Sequence, residues 1–93
     1  MIKTFHDKKT ESVFCGDRGD KKWDPFLRIA ERKLKMINAA VVLSDLKAPP
    51  NNKLEKLKHD REGQHSIRIN DKWRVCFVWN NGHAYHVEIC DYH

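Results

Sequence analysis

Long hydrophobic runs are absent from this 93-residue chain. None approaches the roughly 20 consecutive apolar residues that span a bilayer, so a membrane protein is not expected. A basic-then-apolar secretory leader is missing as well. Cysteine is scarce: Cys15, Cys76 and Cys90 form an odd set without framework spacing. That argues against a disulfide-stapled secreted domain and for a cytoplasmic chain with free thiols. No internal repeat, low-complexity tract or interdomain linker is visible, so residues 1–93 are expected to form one domain with one core. Positive charge is not gathered into one block either. Eighteen Lys and Arg stand against thirteen Asp and Glu, a net of +5. Residues 1–47 hold 11 basic and 7 acidic side chains, while residues 48–93 hold 7 and 6. The balance favours an anionic partner, but it bears on association and not on fold. Placement of individual charges has to decide.

Met1 to Phe5 alternates and suits a short first strand. Asp7 or Thr10 is a cap for a short helix through Phe14. The segment Cys15 to Lys22 is polar and glycine-punctuated, which predicts a solvated connector; its spacing matches no phosphate-binding loop. Asp24-Pro25 supplies a capping carboxylate and a proline at the first helical position. Leu27, Ala30, Leu34, Ile37 and Val41 then recur in steps of three and four, with Arg28, Glu31, Arg32, Lys35 and Asn38 on the other face. The period predicts an amphipathic helix of about five turns whose stripe packs on a sheet. Ser44-Asp45-Leu46 adds a turn, and Pro49-Pro50-Asn51-Asn52 stops any helix. Lys53 to Lys58 reads as a short edge strand, and Gly63 as the turning point of a basic loop. Strands follow over residues 65–69, 73–79 and 83–90, joined by Asn70-Asp71-Lys72 and Asn80-Asn81-Gly82.

Burial sets the expected register, because opposed residues share a face and a slip of one residue reverses it. A three-residue turn at 70–72 places Ile69 opposite Trp73, Ile67 opposite Val75 and Arg68 opposite Arg74. The same reasoning through 80–82 places Val75 opposite Val87, Phe77 opposite Tyr85 and Arg74 opposite Glu88. One face is then apolar beneath the long helix. The other carries Arg68, Arg74, Cys76, His86 and Glu88, with Tyr92 if the strand continues. Opposed arginines repel, and a chain tolerates them more readily when an anion binds between them or a carboxylate such as Glu88 offsets them.

The stretch from Lys58 to Arg74 is therefore the centre of the chemistry: a basic loop feeding a hairpin with arginines on both arms. A guanidinium stays charged and binds phosphate through two parallel hydrogen bonds. Arg68, Arg74, Lys58 and Arg61 are available for that role in holding an RNA phosphodiester. By chemical type, Glu55, His59, His65, His86, Tyr92 and His93 are candidates for proton transfer. His83, His86, Cys90 and His93 offer zinc-ligand types, but His83 and His86 point to opposite faces of a regular strand. Cys76 and Cys90 lie in strands without a partner that would activate a thiol. Trp23 and Trp79 fit the core as well as they fit base stacking.

Two segments carry a family resemblance. Gln64-His65-Ser66-Ile67-Arg68-Ile69-Asn70-Asp71-Lys72-Trp73-Arg74-Val75-Cys76-Phe77 and the ending Val87-Glu88-Ile89-Cys90-Asp91-Tyr92-His93 closely resemble the HigB toxins, of the RelE-like superfamily of type II toxin–antitoxin systems. The match extends to the Met1–Phe5 opening, Ala39-Ala40, Asp45-Leu46 and Pro49-Pro50. It implies a single RelE-like toxin domain over residues 1–93, α+β, with an antiparallel β-sheet and helices packed on one face. It also implies ribosome-dependent cleavage of mRNA in the decoding site of the 70S ribosome, by acid/base attack of the 2′-OH and with no metal or cofactor. A HigA-like helix-turn-helix antitoxin would neutralise the toxin, and operator DNA would be reached only through that antitoxin.

Carried over residue by residue, Lys58 and Arg74 would offset transition-state charge on the phosphate. Arg68 would assist, and Arg61, His59 and Lys56 are counted with the RNA-binding set. Asp91, Tyr92 and His93 fall on the terminal active-site motif, with Tyr92 or His93 in proton transfer. Glu55 sits where some relatives have a catalytic histidine and others a glutamate, and it could act as base. The chain departs from the pattern at His59, where the family usually has glycine, and at His65, where an aromatic is common. Two other readings remain: a catalytically degenerate toxin-like module that binds antitoxin or RNA, and a small zinc-dependent nucleic-acid-binding protein.

Overall fold

The computed structural model describes residues 1–91; Tyr92 and His93 lie outside the described residues. Two helices, α1 (Lys8–Phe14) and α2 (Leu27–Ala39), precede four strands, β1 (Glu55–Lys56), β2 (Gln64–Arg68), β3 (Arg74–Asn80) and β4 (His83–Cys90). The strands form one antiparallel sheet in the order β1-β2-β3-β4. This is the expected α+β arrangement.

Asp7 starts α1: its carboxylate accepts the Thr10 N–H at 2.6 Å, satisfying one of the first-turn donors. The Thr10 hydroxyl in turn accepts the Ile89 N–H at 3.1 Å and ties α1 to β4. The second helix begins differently from the sequence expectation. Residues Lys21–Phe26 form a 3₁₀ turn capped by Asp20, with Pro25 inside it, and α2 follows from Leu27 with no side-chain cap, so Asp24 does not cap it. Asp24 pairs with Arg18 at 3.0 Å instead. The α-helix ends at Ala39, so Val41 drops out of the stripe and is 74% exposed. Asp45 ends the run by accepting from the Val41 and Val42 N–H groups at 2.9 and 3.2 Å.

Ala30, Leu34 and Ile37 of α2 are buried against Ile67, Val75, Phe77, Val87 and Ile89. Each large side chain so buried stabilises by about 1.5–3 kcal/mol. Trp23 and Phe26 close one end of this core on Trp73, with ring centroids 6.4 and 5.5 Å apart.

The β2–β3 register is as the burial pattern requires, with Ile67 opposite Val75 and Arg68 opposite Arg74. Asn70 holds the turn by accepting from the N–H groups of Lys72 and Trp73 at 2.9 and 2.8 Å. The β3–β4 register is not the expected one. Asn81 and Gly82 make a two-residue turn, with φ of 51° and 80°, and Asn80 pairs with His83. An Asn-Gly pair accommodates positive φ at both central positions, which matches the twist of the flanking strands. That turn sets Ala84 opposite Trp79 and Tyr85 opposite Val78, so Tyr85 leaves the core face. A bulge at His86, where φ is +54°, inserts one residue and returns Val87 and Ile89 to the core. As a result Cys90, not Glu88, stands opposite Arg74.

The first five residues lie along β4 in parallel, through bridges Ile2–Ala84 and Phe5–Val87, and do not form a continuous strand. No described helix is long and apolar enough to cross a membrane.

Candidate functional site

The sheet face away from α2 carries Ser66, Arg68, Arg74, Cys76, Glu88 and Cys90. Its two arginines oppose each other directly, and separate partners relieve the repulsion. Arg68 forms an ion pair with Asp71, in the adjoining turn. Arg74 donates through Nε to the Ser66 hydroxyl at 2.7 Å and through Nη2 to the Lys53 carbonyl at 2.6 Å. Glu88 does neither. The usual two-pronged edge of Arg74 is therefore engaged inside the protein, and Nη1 has no partner among the described residues.

A groove of about 490 Å³ runs beside this face, lined by Glu55, Lys56, Leu57, Lys58, His59, Asp60 and Arg61. Lys58 is exposed at its rim. The 3₁₀ turn His59–Arg61 follows, with His59 at a left-handed φ of 57°. Arg61 fastens the turn to the sheet, donating to Glu88 at 2.9 Å and Gln64 at 3.2 Å. That bond to Glu88 raises the Arg61 pKa above its ordinary value. Glu55 opposes Ser66 and Lys56 opposes His65, so Glu55 shares the arginine face and Lys56 does not. The far end of β4 brings Asp91 to 3.7 Å from Lys72. Arg68, Arg74 and Glu55 thus share one face, Lys58 lines the adjoining groove with Glu55, and Tyr92 and His93 lie outside the described residues.

Other candidates separate by environment. His65 stacks on Phe77 on the helix side of the sheet, 6.2 Å between ring centroids. Burial lowers its pKa, with Lys56 adding to the effect, so it is neutral near pH 7. His86 is exposed at the bulge. Cys76 and Cys90 are buried under Leu57 as a second, smaller apolar cluster. A hydrogen bond between the thiols, with burial, holds Cys90 far above the ordinary thiol range, while the same bond lowers Cys76. Trp23 is core, and Trp79 packs edge-on against Phe77.

Of the residues with zinc-ligand types, His93 lies outside the described residues, and His83, His86 and Cys90 do not converge. The group that does is His6, Asp7 and Glu88, whose ligand atoms lie within 4.8 Å of one another. Asp7 already caps α1 and Glu88 already binds Arg61, which accounts for both carboxylates.

Sequence reasoning missed Ser66 and the connector before β1. Asn52 is fully buried there; it accepts from the Lys33 ammonium and donates to the Leu46 and Ala48 carbonyls, both at 3.2 Å. Lys33 falls on the apolar stripe of α2, and burial lowers its pKa, with Arg32 and Arg68 adding to the effect. A lysine one helical turn before Ile37 was the available signal.

Comparison with known proteins places these features in a family. A model described as the RelE-like toxin of type II toxin–antitoxin system HigB matches residues 3–93. "Toxin HigB-1" of Vibrio cholerae is 35% identical over 85 residues, covering 90% of each chain. "Endoribonuclease HigB" of Proteus vulgaris is 36% identical over 96 residues, covering all of both chains. Among solved structures, a chain of "YoeB-YefM complex from Staphylococcus aureus" superposes with a TM-score of 0.61 at 20% identity, covering 100% of this chain and 98% of that one. The YoeB dimer of the same organism gives 0.55 at 22% identity, covering 99% and 97%. The fold is RelE-like, and the chain belongs to the HigB-like family of RelE-like toxins of type II toxin–antitoxin systems.

Proposed function

We propose that residues 1–93 form one toxin domain that cleaves mRNA on the 70S ribosome, by attack of a 2′-OH on the adjacent phosphodiester. The observation that carries this reading is the open face on which Arg74 stands opposite Arg68, with Lys58 at the rim of the adjoining groove. Fixed cations at a site of developing negative charge lower the barrier without reorganising during the reaction. In this scheme Arg74 and Lys58 offset charge on the phosphate, and Arg68 adds to the local field. Lys56, His59 and Arg61 lie along the RNA path. Glu55, Asp91, Tyr92 and His93 are the candidates for removing the 2′-OH proton and returning one to the 5′-oxygen. The scheme uses no metal. The printed name of the Proteus vulgaris relative, an endoribonuclease, supports the chemistry, and the toxin–antitoxin complex among the structural neighbours supports a cognate antitoxin. We assign that partner to the HigA-like helix-turn-helix class, with operator DNA contacted through it.

Expression in cells lacking the antitoxin tests the reading. Growth arrest with transcripts cut inside reading frames is expected, and Arg74→Ala should reduce cutting by roughly 10²–10³-fold, as loss of a transition-state charge stabiliser does. Normal growth with intact transcripts would overturn the enzyme and leave a toxin-like binding module.

A further inference from the structure

Arg74 is held more firmly than a phosphate contact requires. Its Nε donates to the Ser66 hydroxyl at 2.7 Å, and its Nη2 donates to the Lys53 carbonyl at 2.6 Å and, at 3.5 Å, to the Ser66 carbonyl. The two supports differ in setting: Ser66 is buried, and Lys53 is exposed but contributes a main-chain carbonyl. Ser66 is fully buried, in the centre of β2 between β1 and β3. Lys53 has a left-handed backbone, φ 45° and ψ 55°, directly after the buried Asn52. Asn52 anchors that segment through Lys33, Leu46 and Ala48, so the strained residue and its carbonyl are set by buried bonds.

We infer that Ser66 is a positioning residue that, with the Lys53 carbonyl, clamps the Nε–Nη2 edge of Arg74 and aims Nη1 at the scissile phosphate. The inference rests on the ribonuclease reading proposed above. A free arginine would choose between several edges and rotamers on meeting an anion. Among the described residues, Arg74 has one edge used by the protein, and the donors left are those of Nη1. The rotamer entropy of the side chain is thus lost on folding and not on binding RNA. A lysine at position 74 would keep the charge but could occupy one cradle acceptor or reach the phosphate, having no rigid fork to do both.

The test uses the full-length toxin, ribosomes carrying a defined mRNA, and three proteins: wild type, Ser66→Ala and Ser66→Thr. The alanine variant removes the acceptor; the threonine variant keeps it. A misaim of about 1 Å can cost on the order of 10²-fold in rate, so Ser66→Ala should cut 10- to 100-fold more slowly at saturating toxin, with half-saturation little changed, and Ser66→Thr should recover most of the rate. The Arg74 Nε–H resonance, read by ¹⁵N NMR of the toxin alone, should exchange slowly in wild type and Ser66→Thr and rapidly in Ser66→Ala. That second measurement needs no RNA and no activity. Wild-type cutting by Ser66→Ala, with its Nε–H in fast exchange, overturns the aiming role alone. Fast exchange in wild type removes the clamp itself. A wild type that does not cut overturns the ribonuclease reading and the aiming role together.

Discussion

Arg61 and Glu88, 27 positions apart, meet at 2.9 Å on the open face of the sheet, with side chains 28% and 18% exposed. The pair joins the turn after Lys58 to the strand that leads to Asp91, so it spans the two halves of the proposed site. Removing Arg61 leaves a partly buried carboxylate without its guanidinium partner. Arg61→Ala is expected to cost about 1–3 kcal/mol, on the scale of a hydrogen bond to a charged group. Thermal melts should show it as a loss of roughly 4–8 °C per kcal/mol for a domain of this size. An unchanged melting temperature would show the pair to be as weak as an exposed one.

Asn52 is the buried junction of α2, the 43–47 turn and the segment before β1. Asn52→Ala deprives the Lys33 ammonium of its acceptor and two carbonyls of a donor. Urea titration should register a loss of about 2–4 kcal/mol, the range for stranding buried polar and charged groups. Lys33 has a lowered pKa when folded, so above that value the unfolded chain binds more protons than the native one. Stability therefore rises with pH through the window that ends near 10.5, the ordinary lysine value. The rise should be steeper in Asn52→Ala; a flat alkaline limb in both proteins would contradict the burial of the charge.

His59 occupies a left-handed position, φ 57°, which favours glycine. An L-residue pays about 1–2 kcal/mol there, and glycine's extra freedom in the unfolded chain returns about 0.4–1. His59→Gly should raise stability by roughly 0.5–1 kcal/mol in the same urea assay, and His59→Val should lower it. If glycine destabilises, the histidine ring makes a contact that outweighs the backbone strain.

Asp45 and Asp20 govern part of the acid limb. Hydrogen bonds from the Val41 and Val42 N–H groups lower the Asp45 pKa, and the Lys9 hydrogen bond, then the Lys22 N–H, lowers that of Asp20. With folded values below the ordinary 3.8, their contribution is complete above that pH and is lost as pH falls through the lower folded values. Asp45→Asn should flatten the fall in melting temperature below about pH 4. An acid limb identical to wild type would remove Asp45 from the account.

The parts of the fold legible in sequence were those written in local pattern. Ile67, Ile69, Trp73 and Val75 alternate around a turn held by Asn70, and their burial requirement set the β2–β3 register and the opposition of Arg68 and Arg74. The α2 stripe was legible for the same reason, through Leu34 and Ile37. Its ends were not: Asp20 caps a 3₁₀ turn that packs Trp23 and Phe26 on Trp73, and α2 begins only after that turn, without a side-chain cap.

By itself, the sequence determined periodicity, turn chemistry and the kinds of charge available, because each depends on neighbours within a few residues. It also held the two segments by which the family is recognised. The tertiary structure alone decided partnership. The two-residue turn at Asn81-Gly82 and the bulge at His86 together moved Glu88 away from Arg74, and Glu88 is the partner of Arg61. Ser66 and the Lys53 carbonyl took Arg74 in its place, through contacts 8 and 21 residues apart in sequence. A bulge changes which side chains face each other without changing the hydrophobic alternation on either side of it. The pattern that placed two arginines on one face therefore could not say what holds them there.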